Sequence, residues 1–380
     1  MNSADRREFL RLAAATAIAP FGAIPARRAL AQSLRRSWSG YDQAVVIDAL
    51  ASPIQFNIPQ ESLPLGSQAL EHVRCCGIDA VNVTVSVPST AESSAFENTA
   101  ARMNAWAAEI NAHPDVFAAA RSIDDIREAN RSNRLGLVFG FQHAGSFEDE
   151  VERLDAFYSS GLRIVQLTYN VQNRLGAGCL VPQDEGLTPI GYDAIARMDD
   201  LGILVDLSHC GAQTTLDGIE ASTRPVSITH SGCNSVFRHP RNKDDATLRL
   251  LADGGGVVGI YLMPFLNSDG PPSASHVIEH IEYALNVCGE DHVGIGSDQG
   301  IVPLDVSGDF SQRFEAVSAQ RSALGIAAPR EDTIPFVPEL NDPRRLETIA
   351  ALMLARGHSE RVVEKVIGAN FLRLFGEVWG

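Results

Sequence analysis

Three residues that can bind a metal ion or transfer a proton stand at the ends of apolar runs in the sequence. His209 comes after "ILVDLS", His230 ends "PVSITH", and Asp298 comes after "HVGIGS". Two neutral imidazoles and a carboxylate are a common ligand set for a divalent cation. A single histidine is more often a hydrogen-bonded structural residue, so the prediction of a site depends on whether the fold brings these three positions together.

These runs belong to a series of eight short apolar segments that alternate with helical stretches. The alternation indicates parallel strands joined by helices, and eight such units predict an α/β fold, a (β/α)8 TIM barrel. An open, doubly wound sheet is the alternative, but no G-x-G-x-x-G motif follows the first segment. The predicted strands are 44–50, 79–85, 135–141, 163–168, 203–208, 225–230, 256–261 and 292–297.

The predicted helices fill the intervals between the strands and the C-terminal region. They are 96–112, 148–160, 192–201, 211–220, 244–253, 275–288, 344–356 and 359–367. In a barrel of this kind the active site lies at the C-terminal ends of the strands. The fold class therefore predicts that His209, His230 and Asp298 converge on one mouth.

The composition argues against two classes of partner. The chain has 380 residues, 45% of them hydrophobic, which suffices for one large barrel domain. Its formal net charge of −16 disfavours binding to nucleic acid and to anionic membrane surfaces, so we expect no nucleic-acid partner. Six cysteines show no C-x-x-C spacing, and we expect mostly buried free thiols.

The N-terminal 31 residues have the organisation of an export signal. The stretch "RREFLRLAAATAIAPFGAI" combines paired arginines with an apolar run, and "ALA" ends at residue 31. This pattern resembles a twin-arginine signal, which predicts a twin-arginine export machinery partner and a periplasmic or secreted protein. A retained N-terminal anchor is the alternative. The mature protein is then one barrel domain, 32–380, with the irregular segment 299–343 as a loop over one face.

Four stretches, in order, resemble the membrane (renal) dipeptidase family, peptidase family M19: "GLTPIGYDAIARMDDLGILVDLSH", "SITHSGCNSVFRHPRNKDDATLRLLADGGGVVGIY", "HIEYALNVCGEDHVGIGSD" and "GANFLRLF". The resemblance runs from about the first strand to the C-terminus. It implies a (β/α)8 barrel of the metal-dependent hydrolase (amidohydrolase-like) type, with a two-zinc site that hydrolyses dipeptides, including ones with a C-terminal D-residue. By analogy it also implies a homodimer.

The resemblance assigns roles to four residues. His209 and His230 match the family's two histidine ligands of one zinc ion. Arg241, in "HPRN", matches the arginine that holds the substrate carboxylate, a task for which a bidentate guanidinium is suited. Asp298 matches the acid of the eighth strand that serves proton transfer.

Two further residues are candidates for contact with the substrate. Tyr169 follows the predicted fourth strand, and a polar loop contact is its alternative role. His143 lies two residues before Gly145, which takes the place of a substrate-contacting histidine of the family. His143 either substitutes from there or is an ordinary loop histidine. Arg238 and His239, beside the arginine motif, are expected to be loop or surface residues.

The sequence departs from the family at the first and third strands. The family's first strand ends in an H-x-D pair of zinc ligands, and the matching positions are Leu50 and Ser52. The bridging glutamate of the third strand falls on Gln142. A carboxylate bridges two cations through anionic oxygens, whereas an amide offers one carbonyl oxygen and an NH2 group that a cation repels. These degenerate metal positions predict that the two-metal site does not form.

The remaining residues fit two functions of different classes. With His209, His230 and Asp298 as ligands and water as the fourth, one zinc ion can be held, although Asp298 cannot easily be a ligand and a free base at once. This predicts an exported dipeptidase-like metallohydrolase acting on a dipeptide or related small amide with a free carboxylate. Alternatively no zinc binds, and a catalytically altered or inactive dipeptidase-fold protein binds a peptide-like compound and assists its maturation in the periplasm.

Overall fold

The computed structural model describes residues 38–54, 63–88, 93–147 and 150–380. The predicted export signal, residues 1–31, lies outside these described residues. Across the described ranges, no helix combines the length and the apolarity that a membrane crossing requires.

Eight parallel strands form the central sheet and lie side by side in chain order. Each strand coincides with one of the eight predicted apolar segments, which confirms the (β/α)8 barrel. Such strands are buried on both sides, and most of them are largely apolar, because the barrel interior covers one face and helices cover the other. The strands are β1 (Ile47–Asp48), β2 (Ala80–Thr84), β3 (Leu135–Phe141), β4 (Leu162–Gln166), β5 (Leu204–Asp206), β6 (Ser227–Ser231), β7 (Val257–Ile260) and β8 (Val293–Ile295).

The barrel closes between its first and last strands. Beyond β8, the Asp298 N–H donates to the Leu50 carbonyl at 2.8 Å. One step further along the chain, Ala51–Ser52 pairs in parallel with Gln299–Gly300, a short pair that the apolar pattern did not predict. The chain after β1 is therefore held against the chain after β8, at the C-terminal end of the barrel. Another short strand, Phe117–Ala119, pairs with β3 outside the closed path.

Helices follow the strands and form the outer layer. Three of the described helices begin with capping boxes, and in two of these Ser94 and Ser122 each accept a hydrogen bond from a backbone N–H three residues on. The helices are α1 (Ser67–Cys75), α2 (Ala95–Ala112), α3 (Ile123–Arg131), α4 (Arg153–Ser159), α5 (Pro189–Leu201), α6 (Ala212–Ala221), α7 (Asp245–Asp253), α8 (Ala274–Cys288), α9 (Phe310–Ala323), α10 (Arg345–Arg356), α11 (Glu360–Glu364) and α12 (Asn370–Trp379). The predicted helices did not include α1, α3, α9 and α12.

The segment 299–343 is more regular than predicted, because it contains helix α9. The pattern did not reveal α9 since its buried residues are Phe310 and Phe314, one turn apart, with polar residues around them. The part that follows α9 lies over the C-terminal end of the barrel. There the Ile326 carbonyl accepts a hydrogen bond from the side chain of Asn170, which follows β4.

The other end of the barrel is filled by the C-terminal helix. Phe371, Leu374 and Phe375 of α12 share one buried cluster with interior residues of six strands, among them Val138 and Ile164. Burial of each such large side chain stabilises the fold by about 1.5–3 kcal/mol. The polar residues of the barrel are thus left at the opposite, C-terminal end.

Candidate active site

His209, His230 and Asp298 lie at the same end of the barrel. His209 follows β5, His230 lies in β6, and Asp298 follows β8. The two imidazole rings are 5.0 Å apart between centroids, and all three side chains are buried. Each has one buried atom without a hydrogen-bond partner in the described part of the chain, namely Nε2 of either histidine and Oδ1 of the aspartate. The fold therefore places the three predicted residues as a barrel site requires.

A chain of two hydrogen bonds sets the tautomer of His209. The Glu331 carboxylate accepts hydrogen bonds, so the Asn170 side chain must turn its Nδ2 group toward it, at 3.0 Å. The Asn170 carbonyl oxygen then faces His209 Nδ1 at 2.6 Å, and Nδ1 must carry the proton. The Nε2 atom of His209 consequently keeps its lone pair.

The tautomer of His230 is set in the same way by residues of the barrel itself. The Thr229 hydroxyl donates to Asp206 Oδ2 at 2.7 Å, so it must accept from His230 Nδ1, at 2.8 Å. Asp206 is kept in place by the Ser208 hydroxyl, which donates to Oδ1 at 2.5 Å. His230 Nε2 therefore also keeps its lone pair.

Both histidines are held neutral. Burial lowers the pKa of His209 and of His230 well below the ordinary value, and the positive charge of Arg241 lowers both further. Two neutral imidazoles with lone pairs and no donor facing them suit a zinc ion, which takes this nitrogen as a ligand. Within the described ranges, however, no three His, Cys, Asp or Glu side chains are grouped as a complete metal site. The histidine pair is the part of the site that fits the ion.

Asp298 has an unusual backbone and an unusual carboxyl group. Its φ of 56° is in the left-handed region, which is uncommon for a residue other than glycine and occurs often at functional sites. Burial raises its pKa to about 7, although Arg241 acts in the opposite direction. A carboxyl group with this pKa can exchange protons near neutral pH.

Arg241, the predicted carboxylate-binding residue, is buried beside the two histidines. Its Nη1 group donates to the Ser208 carbonyl, and its Nη2 group contacts the His230 carbonyl at 3.4 Å. The guanidinium also lies 5.8 Å from the centre of the Tyr261 ring. Arg241 thus holds the carbonyl group of Ser208, after β5, and that of His230, in β6. Its positive charge lowers the pKa of both histidines and of Asp298.

Leu50, Ser52 and Gln142, the degenerate metal positions, offer no replacement ligand pair. Leu50 is an apolar side chain only 2% exposed. The Ser52 hydroxyl accepts from the Ile54 N–H at 3.4 Å, and Gln142 is half-buried, with its backbone carbonyl accepting from the Gln166 side chain. The side of the barrel mouth nearest β1 therefore carries an apolar and two neutral polar side chains, whereas the side formed by β5 and β6 carries the two histidines.

Tyr169 and His143 occupy different surroundings. The Tyr169 ring stacks on the His209 ring with centroids 4.2 Å apart, so it lies within the site. His143 Nδ1 accepts from the Gly145 N–H at 3.2 Å, within the turn that follows β3. Burial lowers the pKa of His143. Contact of either residue with a substrate stays a prediction.

His239 lies in a loop, as expected, but it is not a surface residue. Its side chain is 3% exposed and stacks on the Phe265 ring at 4.4 Å. Its Nδ1 accepts from the Arg241 N–H at 3.1 Å, while Nε2 contacts the Pro329 carbonyl at 2.8 Å. His239 therefore links the arginine motif to the segment after α9. Arg238, by contrast, is exposed as expected.

Sequence reasoning missed residues that orient the histidines from a distance. Arg321 and Glu331 lie in the segment predicted to be irregular, and no spacing rule relates them to Asn170. Thr229 precedes His230 directly, but its role depends on its contact with Asp206 across two strands. The sequence signal that could have identified Asn170 and Thr229 as orienting residues is their position near the ends of strands.

The chain matches the family described as membrane dipeptidase (peptidase family M19) over residues 44–319. An uncharacterised protein in the pqqA 5' region of Klebsiella pneumoniae is 30% identical over 269 residues, which are 68% of this chain and 88% of that protein. Dipeptidase tcpJ of Claviceps purpurea is 28% identical over 270 residues, 70% of this chain and 56% of that protein. The chain thus spans only about half the length of this fungal dipeptidase.

Solved structures share the fold. An amidohydrolase from Pseudomonas aeruginosa superimposes with a TM-score of 0.76 at 32% identity, covering 92% of this chain and 99% of that one. A metallo peptidase from Rhodobacter sphaeroides, liganded with a phosphinate mimic of the dipeptide L-Ala-D-Ala, superimposes with a TM-score of 0.70 at 20% identity, covering 88% of this chain and 99% of that one. Since the family match extends over most of its length, the chain belongs to the membrane dipeptidase family, peptidase family M19.

Proposed function

We propose that the protein is an exported dipeptidase-like metallohydrolase that cleaves a dipeptide, or a related small amide, with a free carboxylate. Family membership supports hydrolysis of a peptide bond, and the relative from Claviceps purpurea is named a dipeptidase. The dipeptide mimic held by the Rhodobacter sphaeroides enzyme supports a substrate of that size. The observation that carries the proposal is the pair of buried Nε2 lone pairs, on His209 and His230, that no donor among the described residues meets.

Zinc is the cofactor that this histidine pair fits, and His209 and His230 would hold it. When bound, the ion would supply Lewis acidity toward the carbonyl group of the substrate. Leu50 and Ser52 lack the donor atoms of the family's H-x-D pair, and Gln142 lacks the negative charge of a bridging carboxylate. These residues support one ion per chain and not two.

Asp298 and Arg241 would carry the remaining roles. Because its pKa is about 7, the Asp298 carboxyl group can take a proton from an attacking water and return it to the leaving amine. Arg241 would bind the substrate carboxylate, and in doing so would have to give up one of its contacts to backbone carbonyls. Tyr169, stacked on His209, and His143, in the turn after β3, are proposed to line the substrate pocket.

A second function is supported by the residues that follow the first and third strands. Without ligands at Leu50, Ser52 and Gln142, the barrel can bind a peptide-like compound that it does not hydrolyse. The protein would then assist the maturation of that compound in the periplasm. This alternative requires that His209 and His230 only hydrogen-bond, or hold a metal ion that is not catalytic.

Metal analysis together with a dipeptide panel separates the two functions. The chain from residue 32 onward is purified, zinc per chain is measured, and L,L and L,D dipeptides are assayed with added zinc. We expect one zinc per chain, lost in His209→Ala, and hydrolysis that is lost with it. Two ions per chain would refute the single-site proposal. Binding of dipeptides without any hydrolysis would favour the maturation role.

Export and assembly are proposals as well. We propose that the twin-arginine machinery delivers the protein to the periplasm and that it forms a homodimer there. Replacement of both Arg6 and Arg7 by lysine should leave the protein in the cytoplasmic fraction, whereas the unaltered chain should appear in the periplasmic fraction. The mass of the mature protein in solution, measured by light scattering, tests the dimer.

A further inference from the structure

An ion pair outside the family-matched region contacts Asn170 and Tyr169, the two residues that touch the His209 ring. The Glu331 carboxylate accepts from Arg321 at 2.8 Å through Nε and lies 2.7 Å from its Nη2. The match to the family ends at residue 319, and both partners come after it. We infer that Glu331 and Arg321 are positioning residues for His209, an inference that rests on the proposed function. Glu331 fixes the tautomer of the His209 ring through Asn170, and Arg321 fixes the plane of the ring through Tyr169.

The edge of the His209 ring is fixed through Asn170. Glu331 Oε1 and the Ile326 carbonyl both accept from Asn170 Nδ2, at 3.0 and 2.9 Å. Two acceptors at the amide nitrogen leave the Asn170 oxygen one orientation, toward His209 Nδ1. If Glu331 were absent, the amide could rotate and present its NH2 group to the ring. The ring would then carry its proton on Nε2, where a metal ion needs a lone pair.

The face of the His209 ring is fixed through Tyr169. The Tyr169 ring stacks on it with an angle of 21° between the planes. The other contact of this tyrosine is the same ion pair, because Arg321 lies 5.6 Å from the centre of its ring and 3.4 Å from its hydroxyl. One ion pair thus supports both the edge and the face of a single histidine.

The segment that carries the ion pair is itself tied down. Arg330, next to Glu331, donates to the Pro264 carbonyl at 2.8 Å, to the Ser268 carbonyl at 2.7 Å and to the Gly270 carbonyl at 2.6 Å. Pro329, on the other side, contacts the buried His239 ring. Glu331 is therefore presented to Asn170 from a fixed position.

The two histidines differ in what their orientation depends on. The partners of His230, Thr229 and Asp206, belong to β6 and β5, so the barrel alone fixes it. The orientation of His209 depends on Asn170, whose partner Glu331 lies 161 positions further along the chain. Loss of the ion pair should therefore disturb His209 and leave His230 unchanged, which gives the test an internal control.

The test uses the metal-free mature chain with 15N-labelled histidine. Long-range nitrogen–proton spectra near neutral pH distinguish a ring protonated on Nδ1 from one protonated on Nε2. We expect both His209 and His230 to be protonated on Nδ1 in the unaltered chain. In Glu331→Ala, we expect His209 to become a mixture of tautomers, whereas His230 keeps its pattern. Glu315→Ala, at an exposed position of α9, is the matched control and should change neither.

Two further variants keep the test decisive if Glu331→Ala folds poorly. Glu331→Gln retains a carbonyl oxygen that can accept from Asn170, so it should restore the tautomer of His209. Arg321→Ala removes the contact with the Tyr169 ring, so it should shift the ring protons of His209. A folded Glu331→Ala protein with an unchanged His209 tautomer would overturn the inference.

Zinc affinity, measured by competition with a chelator, gives the second readout. Loss of a residue that orients a metal ligand usually lowers affinity by about 10–100-fold, and we expect this for Glu331→Ala and not for Glu315→Ala. If the unaltered chain binds no zinc while the His209 tautomer still responds, the positioning role stands and the proposed metal chemistry fails. If Glu331→Ala and Glu315→Ala bind zinc with equal affinity, the positioning role fails, whereas the proposed metal chemistry stands.

Discussion

The Asp48 carboxylate accepts two hydrogen bonds from Ser297, one from its backbone N–H at 2.7 Å and one from its hydroxyl at 2.5 Å. Asp48 lies in β1 and Ser297 follows β8, so the contact joins the two strands at which the barrel closes. The guanidinium of the buried Arg345 lies 3.6 Å from the same carboxylate. The first strand therefore keeps a structural acid just before the positions that have lost the family's metal ligands.

Replacement of Asp48 by alanine should destabilise the fold strongly. It would remove both contacts to Ser297 and leave the charge of Arg345 buried without its carboxylate. Breaking a buried pair in this way costs about 3–5 kcal/mol, measured as the free energy of unfolding in urea. Asp42→Ala is the control, because Asp42 is 80% exposed in its pair with Arg344 and should contribute little. Equal stabilities for the two variants would contradict the structural role of Asp48.

The stability of the metal-free protein should depend on the ionisation of Asp298. Its pKa is about 7 when folded and near 3.8 when unfolded, so the folded state binds more protons between these values. The contribution of this group to the free energy of unfolding is unaffected below about pH 4, falls as the pH rises toward 7, and stays low above it. With about 1.36 kcal/mol for each pKa unit, the loss is at most about 4 kcal/mol.

Asp298→Asn tests this pH dependence and the catalytic role together. The variant cannot ionise, so its advantage in unfolding free energy over the unaltered chain should grow from about pH 4 to about pH 7. Dipeptide hydrolysis should be lost in Asp298→Asn, because an amide cannot serve as the base. A stability difference that is constant with pH would mean that the carboxyl group ionises normally.

Arg241 should set the preference for a free C-terminal carboxylate. We expect the unaltered enzyme to prefer a dipeptide over its C-terminal amide by about 10–100-fold in kcat/KM. This ratio corresponds to the free energy of a charge-assisted hydrogen bond, about 1.5–3 kcal/mol. Arg241→Lys keeps the charge and loses the bidentate geometry, so the preference should shrink mainly through a higher KM for the carboxylate substrate. The same preference in both proteins would assign Arg241 to support of the backbone alone.

The strands were predictable from sequence because each is a short apolar run with helical sequence on either side. The contacts that complete the barrel were not, since Ala51–Ser52 and Gln299–Gly300 are short and mixed in character. Helix α9 escaped prediction for a similar reason, with only Phe310 and Phe314 buried. Local pattern thus reveals elements that bury a full face and misses those that are held by a few tertiary contacts.

The positions of His209, His230 and Asp298 at one end of the barrel followed from the rule for strand ends. The orientation of these side chains did not, because it depends on pairs such as Asn170 and Glu331, which are 161 residues apart. The burial of His239 was not predictable for the same reason. In sequence it is a polar residue beside a proline and two arginines, and contacts with Phe265 and Pro329 bury it.

Restoring the family's residues on the first and third strands should create a second metal site. The triple variant Leu50→His, Ser52→Asp and Gln142→Glu supplies an imidazole and two carboxylates to the side of the mouth nearest β1. Carboxylates can bridge two cations, which the present amide cannot do. We expect zinc per chain to rise from one ion to two, measured by elemental analysis after dialysis.

Partial variants show which residue limits the second ion. Leu50→His with Ser52→Asp, but with Gln142 retained, should bind the second ion more weakly than the triple variant, because no anionic bridge shares the charge of the two cations. Adding His209→Ala to the triple variant should remove one ion and leave the other, since His209 belongs to only one of the two subsites. A triple variant that still binds a single ion would show that the backbone after β1, and not these three side chains, prevents the second site.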